Sequence, residues 1–306
     1  MPDSAITIRA YEGAADLAPL LAFASRACAA RFPRYALWHP GDVVWELKPE
    51  YDRAHRVRLW WKDDQVIAAA MSPAADQLWC EILPEAEHLL PEIAARAERS
   101  AMRNGQTRLS TKAFDGDEVR TAALAQLGYR RDREEGVCFR IELAGPLPVS
   151  HVPEGFRIID SVGIDPALRA KAHRDAWDDL SEIGLPDARS SFSTEIYAGL
   201  SKAPFYDPRL DILVAAPDGT LVANCICWAD EKSGLATFEP VGTHARYRRR
   251  GLARLAIHEA LRRVRARGMN WARVSTAHFN APAISAYTRC GFSLCDRSAW
   301  WVKNLG

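Results

Sequence analysis

The densest concentration of reactive groups in the chain is His244-Ala245-Arg246-Tyr247-Arg248-Arg249-Arg250-Gly251-Leu252-Ala253-Arg254. Arginine gives charge-assisted hydrogen bonds to phosphate oxygens, and glycine lets a ligand approach the backbone. Leu252, Leu255, Ala256, Ala260 and Val264 then recur at helical spacing until Gly268 stops the pattern. Residues 234–243 before the run read as a strand, so the arginines occupy a strand-to-helix junction. Free N–H groups and the positive dipole end at a helix amino terminus suit a phosphate there. A solvated basic face and a nucleic-acid patch are the competing readings of the arginine run. A strand, Gly251 and a helix in that order favour phosphate.

The elements that must position this turn are legible on both sides. Upstream, residues 210–214 and 221–228 are strands joined by the turn Pro217-Asp218-Gly219. Downstream, a strand at 272–276 leads to Asn280, which with Pro282 in the following turn suits a helix start. The order recurs in the other half of the chain. A strand at 6–9 and a helix at 17–30 parallel a strand at 156–159 and a helix at 167–178. Leu127-Gly128-Tyr129, charged residues and a strand at 137–143 parallel Cys290-Gly291-Phe292, polar residues and a strand at 300–303. A period of roughly 150–160 residues means duplicated α/β domains rather than a solenoid. Proline and glycine gather at 145–155, giving domains 1–145 and 155–306 with a linker at 146–154.

Arg248-Arg249-Arg250-Gly251-Leu252-Ala253 resembles the acetyl-CoA signature Arg/Gln-x-x-Gly-x-Gly/Ala of the GNAT superfamily of N-acetyltransferases. Asn280-Ala281-Pro282-Ala283-Ile284-Ser285-Ala286-Tyr287-Thr288-Arg289-Cys290-Gly291-Phe292 resembles the same family's Asn-x-x-Ala-x-x-x-Tyr-x-x-x-Gly-Phe phrase at every named position. The resemblance spans residues 155–303. It implies two tandem GNAT-like domains of α/β class, each a mixed, mostly antiparallel central sheet flanked by helices. It also implies an acetyl-CoA-dependent N-acetyltransferase in which a primary amine attacks the thioester directly in a ternary complex.

Carried over residue by residue, the resemblance implies that Arg248, Arg249, Arg250, Gly251, Leu252, Ala253 and Arg254 serve the diphosphate. The preceding strand would splay from its neighbour and offer the backbone of Val241, Gly242 and Thr243 to the pantetheine arm. Pro240 and Gly242 are residues that weaken ordinary sheet pairing. Asn280, Ala283 and Tyr287 complete the implied cofactor contacts. Glu239, which strict alternation places on the side of Val241 and Thr243, is the implied general base. Tyr287 is the implied donor of a proton to the departing thiolate. His244 and His278 adjoin the site but match no base position of the family.

Composition sets the outer limits. The chain has 306 residues, 48% hydrophobic and 26% charged, as expected of a soluble packed protein. Forty basic against thirty-nine acidic residues leave a net charge of +1, so no chain-wide field attracts nucleic acid or an anionic membrane. Residues 1–150 carry 19 Lys/Arg and 22 Asp/Glu, whereas 151–306 carry 21 and 17, which places an anionic ligand in the second half. Seven cysteines with no CxxC pair suggest neither a disulfide framework nor a metal site. Cys225 and Cys227 alternate on a strand as small buried hydrophobes. The start MPDSAITIRA lacks the features of a secretory signal, and no long apolar run occurs, so a cytoplasmic protein is expected. The expected partners are acetyl-CoA as co-substrate and a small-molecule or peptide amine, with the chain a monomer or homodimer. The alternative is a non-catalytic regulatory protein that binds acetyl-CoA or CoA.

The first copy departs from the pattern. After residues 78–82 comes Leu83-Pro84-Glu85-Ala86-Glu87-His88-Leu89-Leu90-Pro91-Glu92, without glycine or arginine and with carboxylates that repel a diphosphate. Counting back from Gly128, Leu124 and Asp117 stand where Tyr287 and Asn280 stand in the second copy. This copy is expected to be degenerate and to shape the acceptor cleft. Trp38, Trp45, Trp60, Trp61 and Trp79 either line that cleft or fill a core, and His39 and Asp42 are candidate substrate contacts.

Overall fold

The computed structural model describes residues 5–48 and 53–306, which divide into two units. The first takes the chain up to Cys138 together with Cys295–Gly306, and the second is Phe139–Leu294. The first unit contains β1 (Thr7–Ala10), α1 (Ala14–Arg31), α2 (Pro40–Glu46), β2 (Val57–Lys62), β3 (Gln65–Met71), β4 (Gln77–Ile82), α3 (Leu90–Arg103), β5 (Arg108–Phe114), α4 (Glu118–Gln126) and most of β6 (Arg130–Glu142). β1 to β4 form an antiparallel run, and β5 joins β4 in parallel. Val66 to Met71 on β3 are buried on both faces, as a strand covered on both sides requires.

The second unit contains β7 (Arg157–Asp160), α5 (Pro166–Ala176), α6 (Thr194–Leu200), β8 (Asp211–Ala215), β9 (Leu221–Asp230), β10 (Leu235–Thr243), α7 (Leu252–Ala266), β11 (Trp271–Ala277) and α8 (Ala281–Arg289). Its strands run in the order β11-β10-β9-β8-β7, antiparallel except for β10 beside β11. The last strand of the chain, β12 (Ser293–Asn304), pairs antiparallel with β5 from Ser298↔Phe114 to Asn304↔Arg108, which makes Cys295–Gly306 part of the first unit.

Each element follows from its pattern. On α7 the buried stripe Leu252, Leu255, Ala256, Ala260, Leu261 and Val264 is one helical face. Two helices cover β9 from opposite sides. Asn224 turns toward α5, its Nδ2 reaching Ala172 O at 3.4 Å, while Cys225 and Cys227 have the other parity. The turn after β8 holds Gly219 at φ 87°, where a side chain would be strained. The closing strands are longer than expected. β6 starts at Arg130 and β12 at Ser293, so the charged and polar residues expected to precede these strands lie within them. Arg130 to Arg133 are exposed along β6, and ladder bonds between main chains are indifferent to such side chains. Among the described residues, no helix is long and apolar enough to cross a membrane.

Candidate active site

β10 pairs with β9 along most of its length, but its pairing with β11 covers only Leu235↔Trp271, Ala236↔Ala272 and Thr237↔Arg273. Val241, Gly242 and Thr243 continue opposite Cys225, Asn224 and Ala223 without extending the β11 ladder. Between Phe238 and Val241 the register slips, so Glu239 and Pro240 together oppose one residue of β9. Pro240 brings no N–H and suits such a bulge. The bulge breaks the alternation on which the parity of Glu239 with Val241 and Thr243 depended, so that expectation is corrected. What fixes the bulge is Trp228, whose Nε1 donates to Glu239 O at 2.6 Å.

Gly242 lies under an aromatic ring. A Cβ there would stand 2.5 Å from Trp177 Cζ3 and 2.7 Å from Ala176 Cβ. Trp177 in turn stacks on His173, with centroids 4.2 Å apart and planes 3° from parallel. Gly242→Ala must therefore displace the indole, and overpacking of this kind costs about 1–3 kcal/mol. Thermal denaturation of the variant is the measurement, and an unchanged melting temperature would show that the ring yields freely.

The strand ends in a turn built for the next helix. His244 caps a short 3-10 turn at Ala245–Tyr247, its Nδ1 accepting from Arg246 N at 3.2 Å. Arg249 and Gly251 have φ of +63° and +77°. Gly251 is the N-cap of α7 and supplies no side chain, so the amides of Leu252, Ala253 and Arg254 face outward uncapped. By contrast Asp165, Asn280 and Asp117 cap α5, α8 and α4 through their side chains. The arginines diverge. Arg249 is exposed and reaches Glu182 at 3.1 Å, Arg250 lies 5.2 Å from the Tyr247 ring centroid, and the Arg254 guanidinium sits beside Gly251. Arg248 instead points into the protein and donates to the carbonyls of Ala176, Asp178, Asp179 and Thr243.

Asn280 has two tasks. Its Oδ1 accepts from Ala283 N at 3.2 Å, and its Nδ2 donates to Thr276 Oγ1 at 3.0 Å, which ties α8 to β11. Tyr287, one face further along α8, is buried between Phe139 and Phe292, with ring centroids at 6.1 and 6.3 Å. Burial raises its phenol above the ordinary value of 10.0, and the charges of Cys225, Glu239 and Cys290 add to the rise. Glu239 and Tyr287 are thus within electrostatic reach of each other. The nearby thiols are poor nucleophiles. Cys225 and Cys227 lie buried with sulfurs 3.9 Å apart, and burial pushes Cys290 up to about 12. His244 sits 3.8 Å from Asp175, and His278 meets the ring of Phe279 at a right angle.

Residues 175–292 match the acetyltransferase (GNAT) family. That match lies within the second unit, Phe139–Leu294, and leaves the first outside it. No curated protein matches the chain. Solved structures with the same fold include a GCN5-related N-acetyltransferase from Sphaerobacter thermophilus, 19% identical over 98% of this chain and 96% of that one, with a TM-score of 0.61. A tandem GNAT protein from the clavulanic acid biosynthesis pathway is 16% identical over 99% and 98%, with a TM-score of 0.65. A GNAT-family acetyltransferase from Colwellia psychrerythraea is 13% identical over 97% and 100%, with a TM-score of 0.62. The architecture is that expected from the sequence, two tandem GNAT-like domains with mixed, mostly antiparallel sheets.

The first GNAT-like unit fills the corresponding place with its own charges. Its parallel pairing also stops early, at Gln77↔Ser110 and Leu78↔Thr111. Arg31, from the last turn of α1, reaches Glu81 Oε1, Asp117 Oδ2 and Ile82 O, each at 2.7 Å, and also Glu87. Arg120 donates to Cys80 O at 2.7 Å and lies 3.3 Å from Glu87. Glu81, Asp117 and both guanidinium groups are buried. Sequence reading missed this network, because Arg31 closes a mostly apolar helix and its partners lie 50 to 86 residues away. Asp117 caps α4 as Asn280 caps α8, while buried Leu124 has no hydroxyl to offer. His39 and Asp42 form the capping box of α2, which occupies the groups proposed for substrate. Trp38, Trp45 and Trp60 are buried, and Trp61 and Trp79 are partly so.

Proposed function

We propose that the chain is an acetyl-CoA-dependent N-acetyltransferase that passes the acetyl group to a primary amine of a small molecule or peptide. The observation that carries this reading is the continuity of one path. β10 leaves its parallel partner after Thr237, passes Glu239 and Gly242, and runs through Gly251 into an uncapped α7, with Tyr287 near enough to feel the charge of Glu239. Amides of Gly251, Leu252, Ala253 and Arg254 would hold the diphosphate, and Arg249, Arg250 and Arg254 would neutralise it. Arg248 would contribute through its main chain. The backbone of Val241, Gly242 and Thr243 would align the pantetheine arm, helped by Asn280, Ala283 and Tyr287.

In this arrangement the amine nitrogen attacks the thioester carbonyl carbon, and an N–H of the 241–243 stretch stabilises the oxygen as it gains charge. Glu239 takes the proton from the nitrogen, directly or through water. Tyr287 delivers a proton to sulfur as the C–S bond breaks. Positioning of the two reactants supplies much of the rate, so no covalent enzyme intermediate is required. We further propose that 1–145 and 155–306 are the two covalent repeats, joined at 146–154, and that the first has lost the reaction.

The test is calorimetry with acetyl-CoA followed by a thiol-release assay across amine classes. One equivalent bound per chain and CoA release with at least one amine are expected. Two equivalents would contradict the closed state of the first unit. Binding without release from any amine would favour a regulatory CoA-binding protein instead.

A further inference from the structure

We propose that Arg248 is a positioning residue that couples the diphosphate turn to residues 176–179, and so makes the acceptor side of the site depend on the cofactor side. The proposal rests on the acetyl-CoA reading above. Four carbonyls converge on one guanidinium. Nη2 is 3.1 Å from Ala176 O and 3.0 Å from Asp178 O, Nη1 is 2.5 Å from Asp179 O, and Nε is 3.4 Å from Thr243 O. Ala176 is the last residue of α5, where unsatisfied carbonyls and the negative dipole end attract a cation. Arg248 therefore closes α5 from a turn that is remote in sequence. A planar fork with five N–H groups can satisfy this set, whereas a lysine ammonium offers only three donors from a single point.

Three more contacts join the same two segments. Trp177 lies on Gly242, His244 Nε2 is 3.8 Å from Asp175, and Arg249 reaches Glu182 at 3.1 Å. Trp177 is thus held over the strand position that would meet the thioester. A diphosphate on the amides that begin α7 removes freedom from the turn at Arg248 to Gly251. Through Arg248, that loss of freedom passes to Ala176–Asp179 and fixes the indole on Gly242. The wall that an amine meets is then more ordered with acetyl-CoA bound than without it.

Hydrogen exchange of the full chain, with and without saturating acetyl-CoA, tests the coupling. In the wild type, acetyl-CoA should slow exchange both at 250–255 and at 176–185. In Arg248→Ala, exchange at 176–185 should rise about tenfold or more without ligand, as expected for release of a local opening unit. Acetyl-CoA should still slow exchange at 250–255 in that variant but no longer at 176–185. Arg248→Lys should fall between the two. A merely structural role would raise the baseline yet leave the response to acetyl-CoA in place, and that outcome overturns the proposal. Wild-type protection at 176–185 in Arg248→Ala overturns it too, as does loss of acetyl-CoA binding with that segment unaltered. Should Arg248→Ala lose protection throughout the chain, the same comparison in Arg248→Lys decides. Absence of any acetyl-CoA effect in the wild type would sink the acetyltransferase reading instead, and the baseline exchange of the variants would still report whether Arg248 holds the segment.

Discussion

Replacing Asp211 by alanine is expected to remove about 3–5 kcal/mol from the stability of the second unit, the cost of stranding one partner of a buried ion pair. Arg169 on α5 and Asp211 on β8 are both fully buried, and Arg169 Nε donates to Asp211 Oδ2 at 2.8 Å. The same oxygen accepts from the Tyr206 hydroxyl at 2.9 Å, which is linked to Tyr197 at 2.7 Å and to Ser161 at 3.0 Å. Burial by itself disfavours the charge on Arg169, but Asp211 outweighs it and holds the guanidinium above its ordinary value. Without Asp211 only the burial cost is left. At about 2–4 °C per kcal/mol for a unit of this size, the melting temperature should fall by about 6–20 °C. Arg169→Leu combined with Asp211→Leu should be markedly more stable than Asp211→Ala, since neither charge is then left alone. Calorimetric melting of the three proteins is the measurement. A loss below about 1 kcal/mol for Asp211→Ala would mean that water reaches the guanidinium.

The sequence disclosed those parts of the site that depend on a residue's own backbone chemistry. Gly251 is needed at a positive φ before an uncapped helix, and Asn280 is needed as a cap, so both types survive as readable punctuation. Repeated helix-glycine-aromatic-strand endings marked the duplication for the same reason. Features made by partners distant in the chain were not legible. Arg248 looks like its neighbours in an arginine run, yet its guanidinium binds carbonyls about 70 residues earlier. The face of Glu239 could not be taken from alternation, because the bulge at Glu239 and Pro240 is a relation between two strands. Trp177 gave no signal beyond its place at the end of a helix rich in charged residues, and its role follows from the missing Cβ of Gly242. The first copy was read as a place where carboxylates repel phosphate. Of those carboxylates Glu87 is bound to Arg31 and Arg120, together with Glu81 and Asp117 from the flanking elements, so the place is filled as well as acidic.

Tyr287→Phe is expected to lower kcat by about 10²–10⁴-fold, the usual worth of a positioned general acid, with little loss of acetyl-CoA affinity. The phenyl ring keeps the packing against Phe139 and Phe292, so binding and folding should change little while the proton is lost. The direction of the phenol's shift sharpens the expectation. Its pKa is raised, first by burial and then by Cys225, Glu239 and Cys290, so the acidic form persists through neutral pH and beyond 10.0. Ionisation of Tyr287 therefore contributes no fall in rate below that pH. The same shift makes the phenol a weaker acid than the thiol that forms when the leaving thiolate is protonated, whose pKa is near ~8.5. Complete transfer before C–S cleavage is uphill, so the proton must move as the bond breaks and charge appears on sulfur. Glu239→Gln provides the contrast. It removes the base rather than the acid, so its rate should recover as rising pH supplies free amine, whereas Tyr287→Phe should stay slow at every pH. Thiol release followed from pH 6 to 10 in H₂O and D₂O separates the two. If C–S cleavage limits turnover, a solvent isotope effect should appear in the wild type and vanish in Tyr287→Phe. A Tyr287→Phe enzyme within about threefold of the wild type would show that the thiolate departs unaided, because losing a working general acid costs about 10²-fold or more.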